Sequence, residues 1–209
     1  MPHADTLVLF MAAALALNVT PGPDMLYVIA RSTGEGRSAG IASALGIALG
    51  CLVHIAAVAA GLSALLTHVP SAYHAIRIAG ALYLAYLGVR ALTSSRESAT
   101  APLSPARSVG AIVLQGCATN ILNPKVALFF LAFLPQFVRS DGWPPAVQIV
   151  ALGLLFNASG TIVNVAVALA ASRATGWLRT NQMTATWLQR TTGVVFLGLG
   201  MRLALVRDR

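Results

Sequence analysis

Two short stretches carry most of the residues whose types and spacing could do chemistry. Asn18-Val19-Thr20-Pro21-Gly22-Pro23-Asp24 sets helix breakers and a carboxylate inside an otherwise apolar run from Leu7 to Ala30. Asn120-Ile121-Leu122-Asn123-Pro124-Lys125 interrupts a second apolar run, Val109 to Val138, with a proline followed by the opposite charge. Proline is favoured at the first position of a helix, so Pro23 and Pro124 each restart a half-helix whose free amide groups face the gap. Such amides suit a carboxylate; Lys125 adds a full positive charge, and Asp24 suits an ammonium group or a proton. Exposed backbone of this kind survives at membrane depth only where it is buried in protein or lines a water-filled cavity. A lone proline would read as a structural kink, whereas Pro-Gly-Pro flanked by Asn18, Thr20 and Asp24 reads as a site.

In the second stretch Asn123 is suited to cap the half-helix that Pro124 begins, which puts Lys125 in the first turn, where the helix dipole is positive. A charge at the centre of a span costs about 2.5–3.5 kcal/mol on insertion scales. Both terms oppose a lysine, so an anionic partner is expected: Asp24, a substrate carboxylate, or each in turn. His54 shares one helical face with Gly46, Gly50 and Gly61. The glycines read as a packing surface, and His54 as a proton relay or as a hydrogen-bond partner of a neighbouring helix. Asn157, Thr161 and Asn164 form a polar stripe at i, i+4 and i+7, read first as interhelical hydrogen bonds, with substrate contact as the alternative.

The elements that must position these groups follow from composition. The chain has 209 residues, 57% hydrophobic and 10% charged, with a mean hydropathy of +0.76, too apolar for an ordinary soluble domain. Spans of roughly 20 apolar residues fit six times: about Leu7–Ala30, Ala39–Leu66, Tyr73–Leu92, Val109–Val138, Pro145–Ala171 and Trp187–Val206. The expected fold is an all-α integral membrane protein of six helices with the first and fourth broken. The net charge of +8 could suggest nucleic acid, but every Lys and Arg except Lys125 lies near a span end or in a loop, as membrane anchoring requires. The segment before Leu7 lacks a basic region, so the first span is expected to be retained rather than cleaved. Arg31 and Arg37, then Arg90, Arg96 and Arg107, then Arg173, Arg179 and Arg190 mark the odd loops as cytoplasmic and both termini as outside; Arg202, Arg207 and Arg209 argue the other way.

Sliding the first half by 101 positions superposes Pro23-Asp24 on Pro124-Lys125. One transmembrane domain is expected over 1–209, as two inverted three-helix repeats, 1–92 and 108–209, joined by a polar linker at 93–107. Inverted repeats place a binding site where the broken helices meet near the midplane, and access alternates as one half rocks against the other. The expected substrate contacts are Asn18, Thr20, Pro21, Gly22, Pro23 and Asp24 from the first break and Asn120, Asn123, Pro124 and Lys125 from the second, with Asp24 and His54 coupling protons. No metal cluster, phosphate loop or nucleophilic triad is recognisable, so neither cofactor nor enzymatic activity is expected.

Thr20-Pro21-Gly22-Pro23-Asp24 followed by Gly34, Gly36-Arg37, Gly40, Gly46, Gly50 and His54, and later Gln115-Gly116, Asn120, Leu122-Asn123-Pro124-Lys125, Phe129-Phe130 and Leu134-Pro135-Gln136-Phe137, resemble the LysE/RhtB family of amino-acid exporters, as does the closing Arg190-Thr191-Thr192-Gly193-Val194. The resemblance covers nearly the whole chain. It implies a multi-pass bacterial inner-membrane protein that exports amino acids or close derivatives, driven by the proton gradient. The alternative is a thiol–disulfide conduit using Cys51 and Cys117, one per half, although their positions in a second and a fourth span break the symmetry a shared redox centre would want. The glycine faces allow a homodimer without requiring one.

Overall fold

The structure is a computed structural model that describes residues 4–68, 108–139 and 142–173, with single helical positions at 78, 82, 85, 86, 89, 92, 194, 197, 198 and 201. The expected third and sixth spans and the 93–107 linker lie outside the described residues, those isolated positions apart. Among the described residues every element is helical: α1 Ala4–Val19, α2 Pro23–Glu35, α3 Arg37–His68, α4 Val109–Ile121, α5 Pro124–Leu128 and α6 Pro145–Arg173. A π turn, Phe129–Phe133, and a 3-10 turn, Leu134–Phe137, extend α5.

Both expected breaks are present. The first bends the chain by 48° between α1 and α2, the second by 47° between α4 and the segment from Pro124 to Phe137. α3 and α6 are each long and apolar enough to cross a membrane, and counting each bent pair as one span brings the number to four among the described residues. Large side chains on the outside, such as Leu114, Leu122 and Ile162, are apolar and exposed, a surface that suits lipid and not water.

The second half-helix is longer than the sequence suggests. The apolar run bounds the first span at about Ala30, but α2 continues to Glu35 and stops at Gly36, whose φ of 91° lies in the left-handed region that glycine enters without strain. Arg31 stays inside because its guanidinium pairs with Glu35 four residues on, one helical turn away. α3 begins at the next residue.

α3 packs on both α4 and α6, and its glycine face carries the first contact. A Cβ on Gly46 would overlap the carbonyl oxygen of Val113, and one on Gly50 would lie 2.5 Å from the carbonyl oxygen of Cys117. Gly116 of α4 approaches the carbonyl of Ser43 in return. The face is thus occupied within the chain at Gly46 and Gly50, whereas Gly61 meets nothing within 4 Å among the described residues. Gly46→Ala is expected to cost about 1–3 kcal/mol by overpacking, lowering the melting temperature in detergent by roughly 5 °C. Gly110→Ala, where a Cβ meets no atom of the described residues within 4 Å, is the neutral control in the same melting experiment.

Two apolar clusters form the core. One joins Phe10 and Leu17 of α1, Ile55 of α3, Phe129 to Phe137 and Phe156 of α6; the other joins Tyr27, Val28, Ala39, Ile47, Ile112 and Ala168. In the first, Phe129 stacks on Phe156 at 4.6 Å and Phe10 meets Phe137 edge-on at 5.3 Å. The π turn aims consecutive aromatic rings into this cluster, a local distortion that is uncommon and tends to mark functional segments.

Candidate functional site

The two breaks meet, and each charged residue grips the end of the other half's first half-helix. Lys125 Nζ donates to the carbonyl oxygens of Leu17 at 3.2 Å and Thr20 at 3.1 Å. Asn120 Nδ2, in the last turn of α4, donates to Asp24 Oδ2 at 2.8 Å. Of the expected anionic partners of Lys125, Asp24 makes no ion pair with it here; backbone carbonyls at the end of α1 take that place. A cation disfavoured at the start of its own helix is favoured at the negative end of another. Lys125 and Asp24 are both buried, and no ion pair joins them.

Local sequence explains the geometry. Pro23 occupies the first position of α2 with Gly22 before it in extended conformation, and no side chain caps that helix end. Asn123 caps α5 as expected, its Oδ1 accepting from the Lys125 amide at 3.0 Å. Thr20 Oγ1 donates to the Ala16 carbonyl, tying the last turn of α1 to itself. Gly22 leaves room for the lysine: a Cβ there would stand 3.1 Å from Nζ and 3.3 Å from Cε. Pro23 and Pro124 are exposed while Asp24, Asn123 and Lys125 are buried, so the proline rings face outward and the polar groups inward. Pro21 is half-buried between them.

Between the two apolar clusters lies a cavity of about 30 Å³, lined among others by Asn18, Asp24, Asn120, Lys125 and Asn164, with Met25, Ile47, Cys51 and Phe156 as its apolar wall. That volume admits about one or two waters. Asn18 Nδ2 donates across the bundle to Ser159 Oγ at 3.0 Å and the Phe156 carbonyl at 3.3 Å. His54 Nε2 lies 3.0 Å from the Asn120 carbonyl oxygen, and its ring stacks on Phe130. A carbonyl only accepts, so Nε2 is the protonated nitrogen here. His54 does not touch Asp24; it holds Asn120, which does.

The polar stripe of α6 divides. Asn157 Nδ2 donates to the Ala48 carbonyl of α3 at 3.2 Å, the interhelical bond expected, while Thr161 Oγ1 bonds back within its own helix to the Asn157 carbonyl at 2.8 Å. Asn164 has no side-chain partner among the described residues. Two cysteines, Cys51 buried and Cys117 half-buried, are free thiols. No group of three or more His, Cys, Asp or Glu side chains gathers among the described residues to hold a metal.

Sequence reasoning missed a second polar cluster. Arg31, 1% exposed, was assigned to interfacial anchoring; its guanidinium pairs with Glu35, donates to Gln115 Oε1 at 2.7 Å and lies 5.5 Å from the Tyr27 ring centre. The Tyr27 hydroxyl donates to the Ile112 carbonyl at 2.9 Å. The cluster ties α2 of the first half to α4 of the second. Its signal was available: Tyr27, Arg31 and Glu35 recur every four residues, a single helical face.

A family model described as LysE type translocator matches residues 15–207. A leucine efflux protein of Salmonella typhimurium is 27% identical over 203 residues, covering 95% of this chain and 94% of its own. A leucine efflux protein of Klebsiella pneumoniae is 26% identical with the same coverage. An uncharacterized membrane protein of Pseudomonas aeruginosa is 29% identical over 189 residues, 88% of each chain. No solved structure matches.

Proposed function

The chain belongs to the LysE type translocator family, and from that premise we propose that it exports amino acids or close derivatives across the bacterial inner membrane by proton-coupled alternating access. The observation that carries the reading is the juxtaposition of two buried, opposite charges, Asp24 and Lys125, on the restarting halves of two broken helices, both lining one cavity. A zwitterion is the ligand class with matching charges: its carboxylate goes to Lys125, its ammonium to Asp24. The names of the leucine efflux relatives support an amino acid as cargo.

In this scheme the ten contacts expected from the breaks act in three ways. Lys125 and Asp24 bind charge. Asn18, Thr20, Asn120 and Asn123 hold the helix ends that position them, and Pro21, Gly22, Pro23 and Pro124 shape the breaks. Lys125 exchanges the Leu17 and Thr20 carbonyls for the substrate carboxylate. Asp24 carries the proton, and His54 takes part through Asn120. A cavity of about 30 Å³ is smaller than an amino acid, so loading requires the halves, 1–92 and 108–209, to separate. The apolar clusters on either side of the cavity are the surfaces that part in turn.

Purified protein in lipid vesicles, tested with each common amino acid under an imposed pH gradient, decides the matter. Gradient-stimulated movement of one or a few amino acids is the expected result; movement of none overturns the proposal. The thiol-conduit reading makes the opposite forecast for the cysteines. Replacing Cys51 and Cys117 together by alanine is expected to leave the export rate within about twofold of wild type, since neither thiol has a disulfide partner and small apolar residues suit a packed helix contact.

A further inference from the structure

We propose that Asn164 of α6 is a substrate-contacting residue that, together with the free Oδ1 of Asp24, holds the α-ammonium group of the transported amino acid; the assignment rests on the export reading above. Asn164 is 8% exposed and lines the cavity, and no hydrogen bond ties its carboxamide to another of the described residues. Buried polar groups are nearly always satisfied, and leaving one open costs about 1–3 kcal/mol. Asp24 Oδ1 is such an atom, buried and without a partner, while Oδ2 is engaged by Asn120. The unpartnered Asp24 Oδ1 and a carboxamide that can turn its oxygen toward the same cavity match a group that has only donors to offer.

The register of α6 puts the two together. Gly160, Asn164 and Ala168 succeed one another every four residues and share a helical face. At one end of that face a Cβ on Gly160 would stand 3.0 Å from Asn18 Oδ1, at the end of α1; at the other, Ala168 belongs to the apolar cluster that includes Tyr27 and Val28 of α2. The stretch of chain between Asn18 and Tyr27 contains Asp24, so Asn164 faces the level of the carboxylate. Asn120 Oδ1, also unpartnered, lies against Gly50, 3.2 Å from where a Cβ would be, and its amide is committed to Asp24; it orients the acid and does not join the pair. Lys125 is the cavity's cation and repels an ammonium, which leaves the Asp24–Asn164 side for that group. The other members of the stripe are spoken for, Asn157 by the Ala48 carbonyl and Thr161 by its own helix.

The test separates recognition of the ammonium from every other part of binding. Full-length protein in lipid nanodiscs is probed with L-leucine, L-threonine and L-lysine, each compared with the carboxylic acid that lacks its α-amino group. Wild type is expected to prefer the amino acid over its partner by at least about tenfold. Asn164→Leu, close in size but unable to accept, is expected to reduce that preference roughly tenfold while leaving affinity for the des-amino acid unchanged. Asn164→Ala, which adds no atoms, carries the same expectation should the leucine variant fail to fold, as its melting temperature will show. An unchanged preference in a folded variant overturns the role of Asn164 and leaves the export reading standing. Wild type that binds none of the three amino acids overturns both.

Discussion

Lys125→Ala is expected to reduce export by roughly 100-fold, since removing one partner from a buried charged contact costs on the order of 3 kcal/mol. The effect has two parts. In the resting arrangement the ammonium satisfies the Leu17 and Thr20 carbonyls, where α1 stops; without it, those acceptors lose that donor. During transport, on the export reading, the same ammonium is the one cation among the described residues lining the cavity that a substrate carboxylate can reach. Lys125→Arg is expected to recover little. A guanidinium is planar and wider than an ammonium, and the passage beside Gly22 is already close, with a Cβ there reaching 3.1 Å from Nζ. For the same reason Gly22→Ala should fall between wild type and Lys125→Ala. Export into vesicles, normalised to the folded protein in the membrane, measures all three. A Lys125→Ala rate within a few-fold of wild type would show that the lysine only fastens the two halves together.

The breaks were legible in the sequence because proline, glycine and a charge inside an apolar run leave few other arrangements: unsatisfied backbone has no place in hydrocarbon. The Asn123 cap and the packing of Gly46 and Gly50 followed from local rules of the same kind. The partner of Lys125 did not follow, since backbone carbonyls carry no label in a sequence and an acid elsewhere in the chain is the more visible candidate. Arg31 was misplaced for a related reason. A charge ordinarily marks the edge of a span, whereas a guanidinium with Glu35, Gln115 and an aromatic face around it can be buried. Periodicity placed Asn157, Thr161 and Asn164 on one face but cannot say which of them finds a partner across the helix interface. The π turn at Phe129–Phe133 has no sequence signature beyond a run of aromatics, which an α-helix would accommodate as well.

Asp24→Asn is expected to uncouple export from the pH gradient while leaving exchange of substrate across the membrane in place. The substitution is informative because it separates charge from geometry. Asparagine keeps an oxygen that can accept the Asn120 amide, now 2.8 Å from Oδ2, and keeps the shape of a side chain that is 7% exposed. What it loses is the ability to carry a proton, and at the Oδ1 position it presents an amide hydrogen where the carboxylate offered an unpartnered acceptor. An ammonium is held less well there, so exchange should need a higher substrate concentration but should still run. The titratable groups that share the cavity are Lys125 and Cys51, with His54 behind Asn120. Of these only Asp24 is both acidic and open on one oxygen. Glu35, the acid at the far end of α2, is engaged by Arg31, and Glu35→Gln is the control that should retain gradient dependence. The competing account holds that Asp24 merely stabilises the positive end of α2, a first-turn acid worth about 0.3–1 kcal/mol. In that case asparagine would lower stability slightly and leave gradient-driven export almost intact. Export into vesicles with and without an imposed pH gradient, for wild type, Asp24→Asn and Glu35→Gln, distinguishes the two. Equal stimulation by the gradient in wild type and Asp24→Asn would remove Asp24 from the coupling step and confine it to holding the break.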